Sequence, residues 1–140
     1  MESNLTDIAR VIQLAVAPVF LLTAIATLIG AMNVRLGRIV DRRRAIQDRS
    51  GGEPAELKIE LDTLARRSRL VYFAIVCAVL AALLVCLVVA GAFVGALVAV
   101  DLARTVAVLF ILAMLAMIAG LSLFLREIFL AVQTGSHNRR

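Results

Sequence analysis

Few side chains in this sequence could act on a substrate. The one histidine, His137, lies in a polar stretch far from any carboxylate cluster. The two cysteines, Cys77 and Cys86, sit nine residues apart in an uncharged stretch. At about 100° per residue that spacing puts them on opposite faces of a helix, where they cannot bond to each other. Neither belongs to a cluster with metal-ligand spacing, so no metal and no cofactor is expected. Gly51-Gly52 lacks the Lys and Ser/Thr of a phosphate loop. Buried aspartate pairs and Ser/His pairs, which intramembrane hydrolysis would need, are missing from the apolar segments. An enzyme is not expected.

The polar residues that remain are sparse and regularly placed. Gln13, Thr23 and Thr27 share one helical face with Gly30 inside an uncharged stretch, and Phe20 lies among them. Several copies of such a helix could surround a water-filled path, with Arg35 and Arg38 at its inner mouth favouring anions. The plainer reading is that the threonine hydroxyls bond back to their own helix carbonyls while Gln13 meets interfacial water.

The elements that carry these residues follow from hydropathy. Apolar residues make up 62% of 140, above the roughly 45–50% usual for soluble domains. The excess is blocked out: residues 11–32, 70–100 and 105–125 carry no charge. A hydrocarbon core about 30 Å thick takes roughly 20 apolar residues of helix. The chain therefore reads as an all-α membrane protein with three transmembrane helices, over 11–32, 70–95 and 105–128. A short N-terminal segment, 1–10, precedes them, a short turn spans 96–104, and a tail covers 129–140. A soluble bundle would need polar faces that these blocks lack.

Orientation follows from the basic residues. The segment 33–69 carries ten Lys/Arg, against Arg10 alone before the first block and Arg104 alone between the last two. The basic loop and the C-terminus are then cytoplasmic, with the N-terminus and the short turn outside. The net charge of +5 is on this reading a topological signal. Six acidic residues in the loop and no aromatic residue there argue against a nucleic-acid partner. The expected partners are the lipid bilayer and its anionic headgroups.

The cytoplasmic loop reads as an antiparallel helical hairpin. Leu36, Ile39, Val40 and Ile46 form one apolar stripe, and Leu57, Leu61 and Leu64 form the other. Arg35, Arg38, Arg42 and Arg49 share the neighbouring face of the first arm. Ser50-Gly51-Gly52 and Pro54 mark the turn at 50–54. Arg43 is expected to pair with Glu60, and the arms to reach about 25 Å from the membrane. In the second span Ala74, Ala78, Ala82, Cys86 and Ala90 recur every four residues, and Gly91 and Gly95 form a GxxxG. Both mark close helix packing, within the chain or between copies. Pro18 interrupts the first span, and Asp101 and Arg104 are expected to satisfy each other or the headgroups.

The run from Asn33 to Arg42 reads Asn-x-Arg-Leu-x-Arg-Ile-x-Asp-Arg and directly follows an apolar span. With the Ala17–Thr23 run and the spans that follow the hairpin, it resembles a family of small bacterial membrane proteins, catalogued as domain of unknown function 2721. The resemblance covers roughly residues 8–132. It implies a bacterial inner-membrane location and three spans, and it supplies no activity and no catalytic residue. Within the motif Asn33 could bond a neighbouring helix, and Asp41 could pair with Arg38. The functional expectation is a homo-oligomer forming a small channel lined by the first helix. The alternative is a scaffold or regulatory subunit acting through the basic hairpin, by way of a protein partner or anionic lipid.

Overall fold

The computed structural model describes residues 1–49 and 55–137, and they form three helices. These are α1 (Glu2–Arg49), α2 (Ala55–Val98) and α3 (Ala103–His137). Each contains a stretch long and apolar enough to cross a membrane. The fold is all-helical among the described residues. At about 1.5 Å per residue the 48 residues of α1 extend ~72 Å and the 44 of α2 ~66 Å. Both helices therefore run well beyond the thickness of a hydrocarbon core.

The helices overrun the boundaries drawn from hydropathy. Residues 2–10 are helical and continuous with the first apolar block, and α3 continues through the expected tail to His137. Between 55 and 69 the chain is rich in Leu, Ala, Glu, Lys and Arg, all good helix formers, so the polar arm joins the apolar block without a break. Pro18 lies inside α1, which continues through it. The turn assigned to Ser50-Gly51-Gly52 and Pro54 falls outside the described residues.

The chain divides into two compact units, residues 1–28 with 78–118, and residues 29–77 with 119–140. In the first, the buried side chains are Ile25, Ala78, Ala81, Val85, Val88 and Ala113. Together with Val71 and Ala74, the buried positions of α2 step alternately by three and four residues. The ladder expected at every fourth residue departs from this line. Ala74 and Ala78 are buried, Ala82 is half-buried, and Cys86 and Ala90 are exposed. Each four-residue step turns about 40° past a full turn, so a strict ladder winds out of the contact.

The connection between α2 and α3 is four residues long, shorter than the expected 96–104. Ala99 adopts a left-handed φ of 55°, and the Val100 N–H donates to the Gly95 carbonyl at 3.2 Å. This is a Schellman closure of α2. Asp101 then caps α3, its Oδ1 accepting from the Ala103 N–H at 3.0 Å. Helix capping is thus one role of the carboxylate expected to meet Arg104 or headgroups. A Cβ at Gly95 would lie 3.3 Å from the Val100 carbonyl oxygen, and one at Gly91 would lie 3.4 Å from Val106 Cγ2. The two glycines face the turn and α3 of their own chain.

In the second unit Met32, Ile39, Ile46, Leu64, Val71 and Ala74 are buried, and so is Glu127. Arg42 donates to Glu60 Oε1 through Nη2 at 3.1 Å and Nε at 3.3 Å. The pair expected at Arg43 is thus made by Arg42, and Arg43 makes no bond to Glu60. Both arginines flank the buried Ile39–Ile46 line, one on each side. Only the rotation of the facing helix decides which side meets Glu60. Large apolar residues cover the outer faces of the spans, among them Phe20, Leu83, Ile111 and Leu125. In water so many would be an association hazard, whereas hydrocarbon accepts them.

Candidate functional site

The site grows from one buried carboxylate. Along α3, Ala113, Gly120 and Glu127 follow one another at intervals of seven and all three are buried. Glu127 continues this line of small residues just past the uncharged block. Its side chain is 0% exposed. A lone carboxylate so placed would be costly, and two arginines compensate it. Arg67, on α2, donates to Oε1 through Nε at 3.1 Å and Nη2 at 3.0 Å. Arg35, on α1, donates through Nε to Oε2. Both carboxylate oxygens are engaged, and among the described residues no buried side-chain polar atom lacks a partner. One residue from each helix therefore meets in a single ionic cluster.

Arg35 is fixed on a second side. Its guanidinium carbon lies 5.9 Å from the centre of the Phe124 ring, one turn before Glu127 on α3. That distance is within cation–π range, and the ring supports the guanidinium plane. Arg67 side-chain exposure is 16% and that of Arg35 is 35%. Each arginine therefore has one edge in the cluster and another turned outward.

The outward edges line a cleft of about 590 Å³, whose wall includes Arg35, Arg38, Arg42, Arg67, Leu64 and Phe124. Four guanidinium groups meet two carboxylates there, Glu127 on Arg35 and Arg67, and Glu60 on Arg42. Two positive charges are left over. Arg38 has no ion-pair or hydrogen-bond partner among the described residues. A guanidinium carries five N–H donors; Arg35 spends one on protein and Arg67 spends two. The cleft thus offers unspent donors and excess positive charge, which is the chemistry of an anion site. A second cavity, of about 620 Å³, lies in the first unit and is lined by Leu14, Val88, Gly91 and Phe110 among other apolar residues.

A family model matches residues 15–136 of the chain. The chain belongs to the family described as Protein of unknown function (DUF2721). The resemblance read from the Asn33–Arg42 run and the spans around it thus identifies the family. No curated protein and no solved structure matches this DUF2721 chain.

The structure distributes the residues singled out from the DUF2721 sequence as follows. Arg35, Arg38 and Arg42 come together in the cleft. Asn33 and Asp41 are exposed outside it, and no bond joins Asp41 to Arg38 among the described residues. Gln13, Thr23, Thr27 and Gly30 all lie on the exposed side of α1. Thr23 Oγ1 donates to the Val19 carbonyl at 3.3 Å, and Thr27 Oγ1 to the Thr23 carbonyl at 3.0 Å. Arg67, Phe124 and Glu127 are the members that sequence reasoning missed. The available signal was Glu127 itself, an acidic residue continuing a small-residue line at the end of an uncharged block.

Proposed function

We propose that this is a non-enzymatic protein of the bacterial inner membrane whose arginine cleft engages anionic lipid headgroups, serving as a lipid-responsive scaffold or regulatory subunit. The observation that carries this reading is the convergence of four arginines on one cleft, three just past the first apolar block and Arg67 just before the second. The bias of Lys/Arg toward residues 33–69 supports an orientation with the arms in the cytoplasm and the N-terminus outside. On that orientation the cleft meets the leaflet that carries most of the anionic charge, where each basic residue contributes about 1 kcal/mol of attraction. The test is native mass spectrometry of protein released from nanodiscs of mixed phosphatidylcholine and phosphatidylglycerol. Retained lipid should be enriched in phosphatidylglycerol, and the double variant Arg38→Ala/Arg42→Ala should lose the enrichment. Equal retention of the two lipids would overturn the reading.

A homo-oligomeric channel is the second reading. It is favoured by one observation: Gln13, Thr23, Thr27 and Gly30 face outward from the single chain, open to another copy. Against it, both threonine hydroxyls are already bonded to their own helix. Subunit count decides. A ring of four or more copies would sustain it, and a monomer or dimer would remove it, since too few copies of α1 would surround any path.

A further inference from the structure

Nonspecific attraction to a charged leaflet needs only exposed cations, and the cleft is built more narrowly than that. Its arginines differ in how they are held. Arg35 and Arg67 are clamped by the fully buried Glu127, and Arg35 rests against the Phe124 ring. Clamping removes the rotamer freedom that a flexible surface arginine must give up on binding. Arg42 is held by Glu60 on the other side. Arg38 alone stands without a partner among the described residues, on the same wall. Three positioned guanidinium groups and one free one therefore converge on a single concavity with two uncompensated positive charges.

We propose that this cleft is a specific site for a dianionic phosphomonoester, with Arg38 as the residue that closes on it. A phosphomonoester carries close to two negative charges at neutral pH and three acceptor oxygens. A phosphodiester, the group in most membrane lipids, carries one negative charge and two unesterified oxygens. The two spare charges and the planar donor edges of Arg35, Arg38 and Arg67 match the first better than the second. Glu127 is here a positioning residue: it touches no ligand and aims two of the arginines. The inference rests on the proposed engagement of anionic groups by this cleft, and it adds the chemical class and the selectivity. The phosphate could belong to a lipid headgroup or arrive free from solution.

The experiment has two arms, both on the full chain. In the first, nanodiscs contain phosphatidylcholine with equal fractions of phosphatidic acid, a phosphomonoester, and phosphatidylglycerol, a phosphodiester. Native mass spectrometry then counts which lipid stays bound. In the second, inorganic phosphate is titrated by calorimetry into protein held in phosphatidylcholine nanodiscs. Arg38→Ala removes the charge, Arg38→Lys keeps the charge without the planar fork, and Arg44→Ala is an exposed control outside the cleft. We expect phosphatidic acid to be preferred, and Arg38→Ala to cost roughly tenfold in binding, the scale of one charge-assisted hydrogen bond. Arg38→Lys should recover only part of the loss, and Arg44→Ala should change nothing.

Preference for phosphatidic acid that vanishes in Arg38→Ala supports the proposal with a lipid source. Arg38-dependent binding of inorganic phosphate without a lipid preference supports it with a soluble source, and counts against the lipid-responsive reading alone. Equal retention of phosphatidic acid and phosphatidylglycerol with no phosphate binding overturns the proposal while leaving the lipid-responsive reading standing. Phosphate or phosphatidic acid binding that Arg38→Ala leaves untouched also overturns it.

Discussion

Residues 1–28 with 78–118 and residues 29–77 with 119–140 solve the same packing problem with different chemistry. The first unit has an apolar core in which three of six buried side chains are alanine, and its chain reversal is closed by backbone bonds and one cap. The second has a larger-residue core of Met32, Ile39, Ile46, Leu64 and Val71, and adds a buried carboxylate shared by two arginines. Small residues gain contact by letting backbones approach, and they tolerate many partners of similar shape. An ionic cluster accepts one geometry, because a displaced arginine leaves a buried charge uncompensated. Close approach and specificity are thus supplied in different places along the same three helices.

Substitutions can break that contrast, the largest effect falling in the second unit. Glu127→Ala leaves two arginines without their carboxylate and should destabilise the fold by about 3–5 kcal/mol, measured by steric trapping or thermal melting in detergent. Replacing Glu127, Arg35 and Arg67 together by Met should recover most of that loss if the cluster contributes specificity more than stability. In the first unit, Ala78→Leu overfills a fully buried position and should cost about 1–3 kcal/mol in the same assay. Asp101→Ala removes the cap of α3 and should cost about 1 kcal/mol, seen as faster amide exchange over residues 103–106. The smallest effect belongs to Glu60→Ala, whose half-exposed bridge to Arg42 is worth ~0–1 kcal/mol. A melting shift there as large as that of Ala78→Leu would mean that the polar arms carry more of the second unit than their exposure indicates.

The three helices were legible because charge is excluded from residues 11–32, 70–100 and 105–125, a signal that survives any packing detail. The face shared by Arg35, Arg38 and Arg42 was legible from helical spacing alone. What escaped needs the rotation of one helix against another. Arg42 and Arg43 are equivalent in sequence, and only the approach of α2 separates them. The recurrence of small residues every four positions in α2 marks a packing helix but not its contact line, which follows the alternation through Ala81 and Val85. Glu127 stands beside Arg126 just past the third uncharged block, and nothing near it in the sequence marks it as a shared counter-charge. Its partners lie 92 and 60 residues away in sequence, and no local pattern links them.

The shared carboxylate also bears on how the chain is made. Synthesis runs from the N-terminus, so α1 and α2, with Arg35 and Arg67, are complete before residue 127 is added. Until then both guanidinium groups lack their native counter-charge, and any fragment that stops short of α3 keeps that deficit permanently. Completion of the third helix supplies the one side chain that neutralises both. Glu127 therefore separates a chain that has its third helix from one interrupted before it.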